Sequence, residues 1–173
     1  MKRTLRTLSL LVLCLAGAAS SAYSKTPGEV EVGSVLREAQ MQGLSGPAKK
    51  LSAYRGKPLV INVWASWCGP CRAEMGSLDR LAKRYGGKQF NVIGVSTDDY
   101  RDRALAFLQQ SKTSFSNYID SELFLENMLG ADRIPLTLLV DAQGRVVAKF
   151  YGAKQWDSPE AVEVIGKALR VKM

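Results

Sequence analysis

An α/β sandwich built on one mixed sheet is the fold class the sequence predicts, and three observations predict it. The stretch 59–64 is apolar and β-branched apart from Asn62, as a strand buried on both faces has to be. Directly after it, apolar residues recur at helical spacing over several turns. The last third carries a hairpin pattern and then a helix with a full set of start signals. Strand, helix, strand, helix, hairpin and helix is an order from which such sandwiches are built.

Each element has its own signal. At the amino end, Lys2, Arg3 and Arg6 precede an apolar run over 8–19 and then small residues, the layout of an export leader. The run is too short for a membrane span, which needs roughly 20 residues. Cleavage is expected after Ala22, giving a signal peptide over 1–22 and one domain over 23–173; the alternative is an uncleaved leader that serves as a membrane anchor. Cys14 follows the bulky Leu13, so it reads as an apolar leader residue and not as a lipidation site. The stretch 25–57 is less regular, although Gln42 to Gly46 reads as a turn between two short strands. After the strand over 59–64, Cys71, Met75, Leu78, Ala82 and Tyr85 share one helical face. Arg72, Asp79, Arg80 and Lys83 lie away from it, Glu74 reads as a solvated residue, and Gly86 with Gly87 ends the helix. A strand over 90–96, a helix over 101–110, a short extended piece over 117–119 and a brief helix ending at Gly130 come next. The hairpin pairs 136–140 with 145–151 through a turn in which Gly144 takes the left-handed position. Ser158, Pro159 and Glu160 open the last helix, with Ala161, Ile165, Ala168 and Leu169 on its buried face.

Composition bounds the function. The chain has 173 residues and is 46% hydrophobic, enough for the core of one domain and too little for two. The formal net charge of +8 falls to 8 − 3 = +5 once the leader's three cations are removed, and the remaining Lys and Arg are scattered, so no nucleic-acid groove is indicated. There is no histidine, which removes Ser-His, Cys-His and His-metal mechanisms together. Three cysteines become two after cleavage, both in one Cys-x-x-Cys. A ring that small is a poor staple, because loop-closure entropy grows with loop length. Structural zinc needs four ligands, and neither a second cysteine pair nor a histidine is present to complete the set.

Chemistry is the better account of Cys68 and Cys71. Cys68 stands where the helix begins, and unpaired backbone N–H groups and the positive dipole end favour its thiolate. Cys71 is close enough in the first turn to form the disulfide and shares the face of Met75 and Leu78. The expected division of labour has exposed Cys68 attack a substrate and shielded Cys71 resolve the mixed disulfide. Pro70 sits in the first turn, where its missing N–H costs nothing.

The run from Asn62 through Trp64, Trp67, Cys68, Gly69 and Pro70 to Cys71 resembles the exported thioredoxin-like proteins of the TlpA, ResA and DsbE type. So do Arg55 to Lys57 before it, Ile134-Pro135 ahead of the hairpin, Asp141 and Gly144 in its turn, and Gly152 followed by Trp156. The resemblance spans about 44–156. It implies a thioredoxin fold with an extra N-terminal β-hairpin and a central αβ insertion, and a thiol:disulfide oxidoreductase at work in the periplasm. It also implies that Pro135 is cis and faces the disulfide, and that Trp67, Gly69, Pro70, Ile134 and Pro135 form the substrate-docking surface; Trp64 reads as core. The family's threonine after the proline is here replaced by Leu136, with Thr137 one further on. Thioredoxin's buried aspartate is replaced by Asn62, which cannot accept a proton, and the resemblance points to Asp99, with Asp98 next, as the substitute acid. The competing reading of these aspartates is as caps of the helix near Tyr100.

Gly69 and Pro70 add no side-chain donor to stabilise a thiolate, so a reductant of selected disulfides is expected. Its substrates by resemblance are apocytochrome c or copper-site assembly proteins, and its partner is a membrane electron-donor thiol oxidoreductase. A disulfide-forming oxidase and a non-catalytic Cu(I) carrier are the alternatives; the carrier lacks His and clustered Met near the site. No bound cofactor is indicated, and a monomer is expected.

Overall fold

The computed structural model describes residues 26–173. The expected leader and Cys14 lie outside the described residues. The elements are β1 (Gln40–Gly43), β2 (Lys49–Lys50), a 3-10 turn (Leu51–Tyr54), β3 (Leu59–Trp64), α1 (Gly69–Tyr85), β4 (Asn91–Ser96), α2 (Arg101–Ser111), β5 (Ser116–Ile119), α3 (Phe124–Leu129), β6 (Leu136–Val140), β7 (Val146–Tyr151) and α4 (Pro159–Leu169).

The seven strands form one mixed sheet in the order β2-β1-β5-β4-β3-β6-β7. β3 is parallel to β4, and β4 to β5, whereas β6, β7 and the β1–β2 hairpin join antiparallel. β3 is buried at every position because helices cover both faces of the sheet. Strand alternation divides its side chains: Val60 and Trp64 join the core under α1, α2 and α4, while Leu59, Ile61 and Val63 join the core with α3 and the N-terminal segment. This is the thioredoxin-like architecture the resemblance implied, with β1 and β2 as the N-terminal hairpin and α2–β5 as the added αβ unit.

The N-terminal segment runs along the outer edge of β7. Gly33 donates to the Val146 carbonyl, Val146 to that of Ser34, and Leu36 to that of Gly144, so the edge is covered. This long-range pairing is why 25–57 carries little local pattern. Gly86 closes α1 where only glycine fits, since a Cβ there would stand 2.3 Å from the Ala82 carbonyl oxygen.

Two residues of α1 depart from their expected environment. Glu74 and Asp79 are both buried, because α1 is covered by the sheet and also by two loops, near Ser114 and near Trp156. Asp79 accepts from the Ser114 backbone N–H and hydroxyl, each at 2.7 Å, and pairs with Lys83. Arg72, Arg80 and Lys83 face solvent as expected.

Candidate active site

The buried strand β3 ends at Trp64, whose indole donates to Asn117 and packs on Phe107 in the core. The chain then turns through Ala65 to Trp67, and α1 begins. Cys68 is its N-cap, and Gly69 and Pro70 occupy the first two helical positions. The disulfide Cys68–Cys71 is formed with its Cα atoms 5.3 Å apart, within the range that needs no backbone movement. The Cys71 backbone N–H donates to Cys68 Sγ at 3.2 Å, so a helix-terminal donor is aimed at that sulfur.

Cys68 is only 5% exposed and Cys71 fully buried. Cys68, expected to be exposed, is therefore buried in the disulfide form as Cys71 is. The reason is the segment before β6: the Ile134–Pro135 bond is cis, and the Ile134 carbonyl oxygen stands 3.8 Å from Cys68 Sγ. Trp67, 68% exposed, projects beside the pair, and Gly69 and Pro70 are exposed as well. Trp67, Cys68, Gly69, Pro70 and Ile134 line one groove of about 660 Å³, whose far wall is the α3 region with Leu123 and Glu126. Thr137 does not stand in for the missing threonine at this surface. It is buried, and it accepts from the Asn62 amide at 2.9 Å.

Two buried carboxylates lie behind the surface. Glu74, 1% exposed, is one helical turn on from Cys71 on the buried side of α1. Its Oε1 accepts from Asn62 Nδ2 at 2.7 Å, and its Oε2 accepts from the Lys154 backbone N–H at 3.0 Å and the Trp156 indole at 2.9 Å. Burial pushes the Glu74 carboxyl above the usual carboxylate range, and these donors offset only part of the rise. Asn62, at the strand position where thioredoxin has an aspartate, thus donates to a second buried acid, Glu74, for which the sequence predicts a place in solvent. An acid three residues after the second cysteine was the signal available.

Asp98 is buried between two active-site loops. It accepts from the Ser66 backbone N–H at 2.9 Å, the Ser66 hydroxyl at 2.6 Å and the Ser96 hydroxyl at 2.7 Å, so it ties the approach to Cys68 to the end of β4. Asp99 is exposed and lines the groove with Cys68. The capping reading does not hold: Tyr100 is the N-cap of α2, and among the described residues neither Asp98 nor Asp99 accepts from that helix's first N–H groups.

Among known proteins, residues 31–165 match the family model Redoxin. Thiol-disulfide oxidoreductase ResA of Geobacillus thermodenitrificans is 30% identical over 145 residues, covering 82% of this chain and 83% of the relative. Thiol:disulfide interchange protein DsbE of Vibrio cholerae is 35% identical over 126 residues, 71% of this chain and 66% of the relative. Of the solved structures, a Chlorobium tepidum protein provisionally described as thiol:disulfide interchange protein DsbE superposes with a TM-score of 0.75 at 27% identity, over 82% of this chain and 99% of that one. A secreted thiol-disulfide isomerase from Corynebacterium glutamicum superposes at 0.66 with 25% identity, over 78% and 83%.

Proposed function

Because the chain belongs to the Redoxin family and is a thiol-disulfide oxidoreductase of the TlpA, ResA and DsbE type, we propose that it acts outside the cytoplasm as a reductant of selected protein disulfides. One observation carries the direction. Cys68 Sγ accepts from the backbone N–H of Cys71, and the intervening Gly69 and Pro70 bring no side-chain donor. A strong oxidant needs its thiolate held far more firmly. One missing charge-assisted hydrogen bond of roughly 1.5–3 kcal/mol shifts a two-electron couple by tens of millivolts toward reducing, at about 30 mV per ~1.4 kcal/mol.

The cycle starts from the reduced pair. The Cys68 thiolate attacks one sulfur of a substrate disulfide docked against Trp67, Gly69, Pro70, Ile134 and Pro135, and the other substrate sulfur leaves as a thiolate. Cys71 then gives up its proton and attacks Cys68 Sγ. The bond from Cys68 Sγ to the sulfur attacked first breaks, that sulfur leaves as a thiolate, the Cys68–Cys71 disulfide forms, and two electrons have passed to the substrate. We assign the Cys71 proton to Glu74, whose buried carboxyl is shifted toward holding one. Asp99 is retained as the acceptor on the solvent side, where it shares the groove with Cys68. The oxidised pair is recharged by a membrane thiol oxidoreductase, and the substrates are cysteine pairs of apocytochrome c or of copper-site assembly proteins.

Equilibration of the Cys68–Cys71 pair with glutathione buffers tests the direction, and a potential as oxidising as that of DsbA would overturn it in favour of the oxidase alternative. In the same preparation, alkylation of the reduced protein should label Cys68 far faster than Cys71. Cys71→Ser should accumulate mixed disulfides in cells, and the trapped partners name the substrates.

A further inference from the structure

The ion pair of Glu29 with Lys149 takes no part in the chemistry above, yet its side chains are only 16% and 9% exposed. Lys149, on β7, donates both to the Glu29 carboxylate and to the Leu129 carbonyl, the latter at 2.8 Å. Two residues on, and so on the same face of the strand, the Tyr151 hydroxyl donates to the Gly130 carbonyl at 3.1 Å. From the N-terminal segment, Val30 N–H donates to the Met128 carbonyl at 2.8 Å. Gly130 packs so closely on Glu29 that a Cβ would lie 2.2 Å from its carboxyl carbon, and its φ of +75° favours glycine in any case. The carbonyl end of α3 is thus tied by β7 and by a segment about 100 residues away in sequence, while ordinary helix ends are left to water.

The chain just after Gly130 runs to the sulfurs. Ala131, Asp132, Arg133 and Ile134 form one wall of the groove, and the Ile134 carbonyl is the group 3.8 Å from Cys68 Sγ. Farther along, Gly152 N–H donates to the Pro135 carbonyl at 2.9 Å, and between these points the Arg133 guanidinium lies over the Tyr151 ring, so β7 and the residue after it hold this connection at both ends and along its length.

From this geometry we infer that Glu29 and Lys149 are positioning residues for substrate capture: they hold the 131–134 wall at the spacing a docked substrate segment needs, and they do not act on the sulfurs. The inference rests on the thiol-exchange reading of the groove. Removing one partner leaves a charge enclosed with too few partners, and loss of Lys149 also frees the Leu129 carbonyl, so the end of α3 loosens and the wall moves with it. Misplacement of a docking wall acts on productive binding.

The test uses Glu29→Gln and Lys149→Met, with Lys149→Arg as the conservative rescue, in the full chain. A synthetic disulfide-bonded peptide and the small aromatic disulfide dithiobis-nitrobenzoate serve as probes. For the first two variants, KM for the peptide should rise roughly tenfold, with kcat, the rate on the small disulfide and the equilibrium potential at wild type. Amide hydrogen exchange over 131–134 should quicken while that of α4 does not, and Lys149→Arg should restore KM. Should the ion-pair variants fail to fold, Tyr151→Phe removes the hydroxyl tie to Gly130, keeps the ring on which Arg133 stacks, and should move KM and exchange in the same direction. An unchanged peptide KM beside faster exchange would make the pair merely structural, and a shifted potential or a slower small-disulfide rate would place its action on the sulfurs; either overturns the inference. Wild-type turnover of the small disulfide reports on the thiol-exchange reading alone, so the two failures stay distinct.

Discussion

At the scale of single residues, the buried carboxyl of Glu74 separates this site from a bare cysteine pair. Its three donors all point at it, and behind them Asn62 Oδ1 is a buried acceptor with no partner among the described residues. Glutamine at 74 can keep its oxygen toward Lys154 and Trp156, while its amide nitrogen donates to a turned-over Asn62; Oδ1 then gains the partner it lacked and Nδ2 takes its unpaired place, leaving the count of buried unpaired atoms unchanged. We therefore expect Glu74→Gln to stay within about 1 kcal/mol of wild type near neutral pH, and Glu74→Ala, which orphans the buried donors of Asn62 and Trp156 and the half-buried Lys154 N–H, to lose about 3 kcal/mol in urea unfolding. The pH dependence has a definite sign. The folded carboxyl binds its proton more tightly than the unfolded one, so this stability is full below the ordinary value of 4.5 and is lost as pH rises through the elevated value. Glu74→Gln should flatten that part of the slope. In catalysis it should slow release from the mixed disulfide more than initial attack by Cys68, and equal effects on both steps would remove Glu74 from the path. Asp99→Asn should leave the melting temperature unchanged, because no helix cap is lost. Cys68 and Cys71 were legible from their spacing, their place at a helix start and the lack of other zinc ligands. Glu74 was not, because whether a helical acid faces water depends on a loop 80 residues away that donates to it.

The secondary elements were legible where one local force dominates. The unbroken apolar run made β3, the serine-proline-glutamate start made α4, with Ser158 accepting from the Ala161 N–H at 3.2 Å, and Gly144 made the hairpin turn with a φ of +86°. What the elements do to one another was not. α1 reads as amphipathic with a charged outer face, but the α2–β5 connection lies over part of that face and takes Asp79 as its anchor. Burial pushes the Asp79 carboxyl up, and the bonds from Lys83 and Ser114 outweigh it, so the carboxyl titrates below its ordinary value of 3.8. Stability from this group is present above that value and is lost as pH falls through the depressed one. Asp79→Ala should cost about 2 kcal/mol at pH 7, from charge-assisted bonds to Ser114 and the loss of packing between α1 and the added αβ unit. The cost should shrink in urea titrations carried below pH ~4. A loss that did not change with pH would assign the effect to packing alone. The N-terminal segment is the larger gap in what could be read, since each of its ties, to Met128, Val146, Gly144 and Lys149, is to a residue more than 100 positions away or nearly so.

For the molecule as a whole, direction of electron flow and stability are linked by one thermodynamic cycle, in which folding and reduction are its two sides. If the folded chain holds its disulfide at a more reducing potential than the unfolded chain does, the oxidised protein must be the more stable form by the same free energy, about 1.4 kcal/mol for each ~30 mV. An oxidant of this fold reverses the inequality, because donors that grip the thiolate stabilise the reduced protein. Here the donor seen at Cys68 Sγ is the Cys71 backbone N–H, and the buried carboxylate of Asp98 is bound to Ser66 only two residues before it. Neither arrangement favours a strongly held thiolate: the first supplies a single neutral donor, and the second places a carboxylate, and no cation, on the loop leading to the sulfur. Reduction should therefore lower the melting temperature. Because a 1 kcal/mol change moves the midpoint of a domain this size by roughly 2–4 °C, a potential tens of millivolts on the reducing side is visible as a drop of several degrees. Paired calorimetric scans of the oxidised protein and the protein in excess dithiol measure it without any substrate. A reduced form that melts higher than the oxidised one would contradict the reductant assignment independently of the glutathione equilibrium, and would require donors to the Cys68 thiolate that the disulfide state does not display.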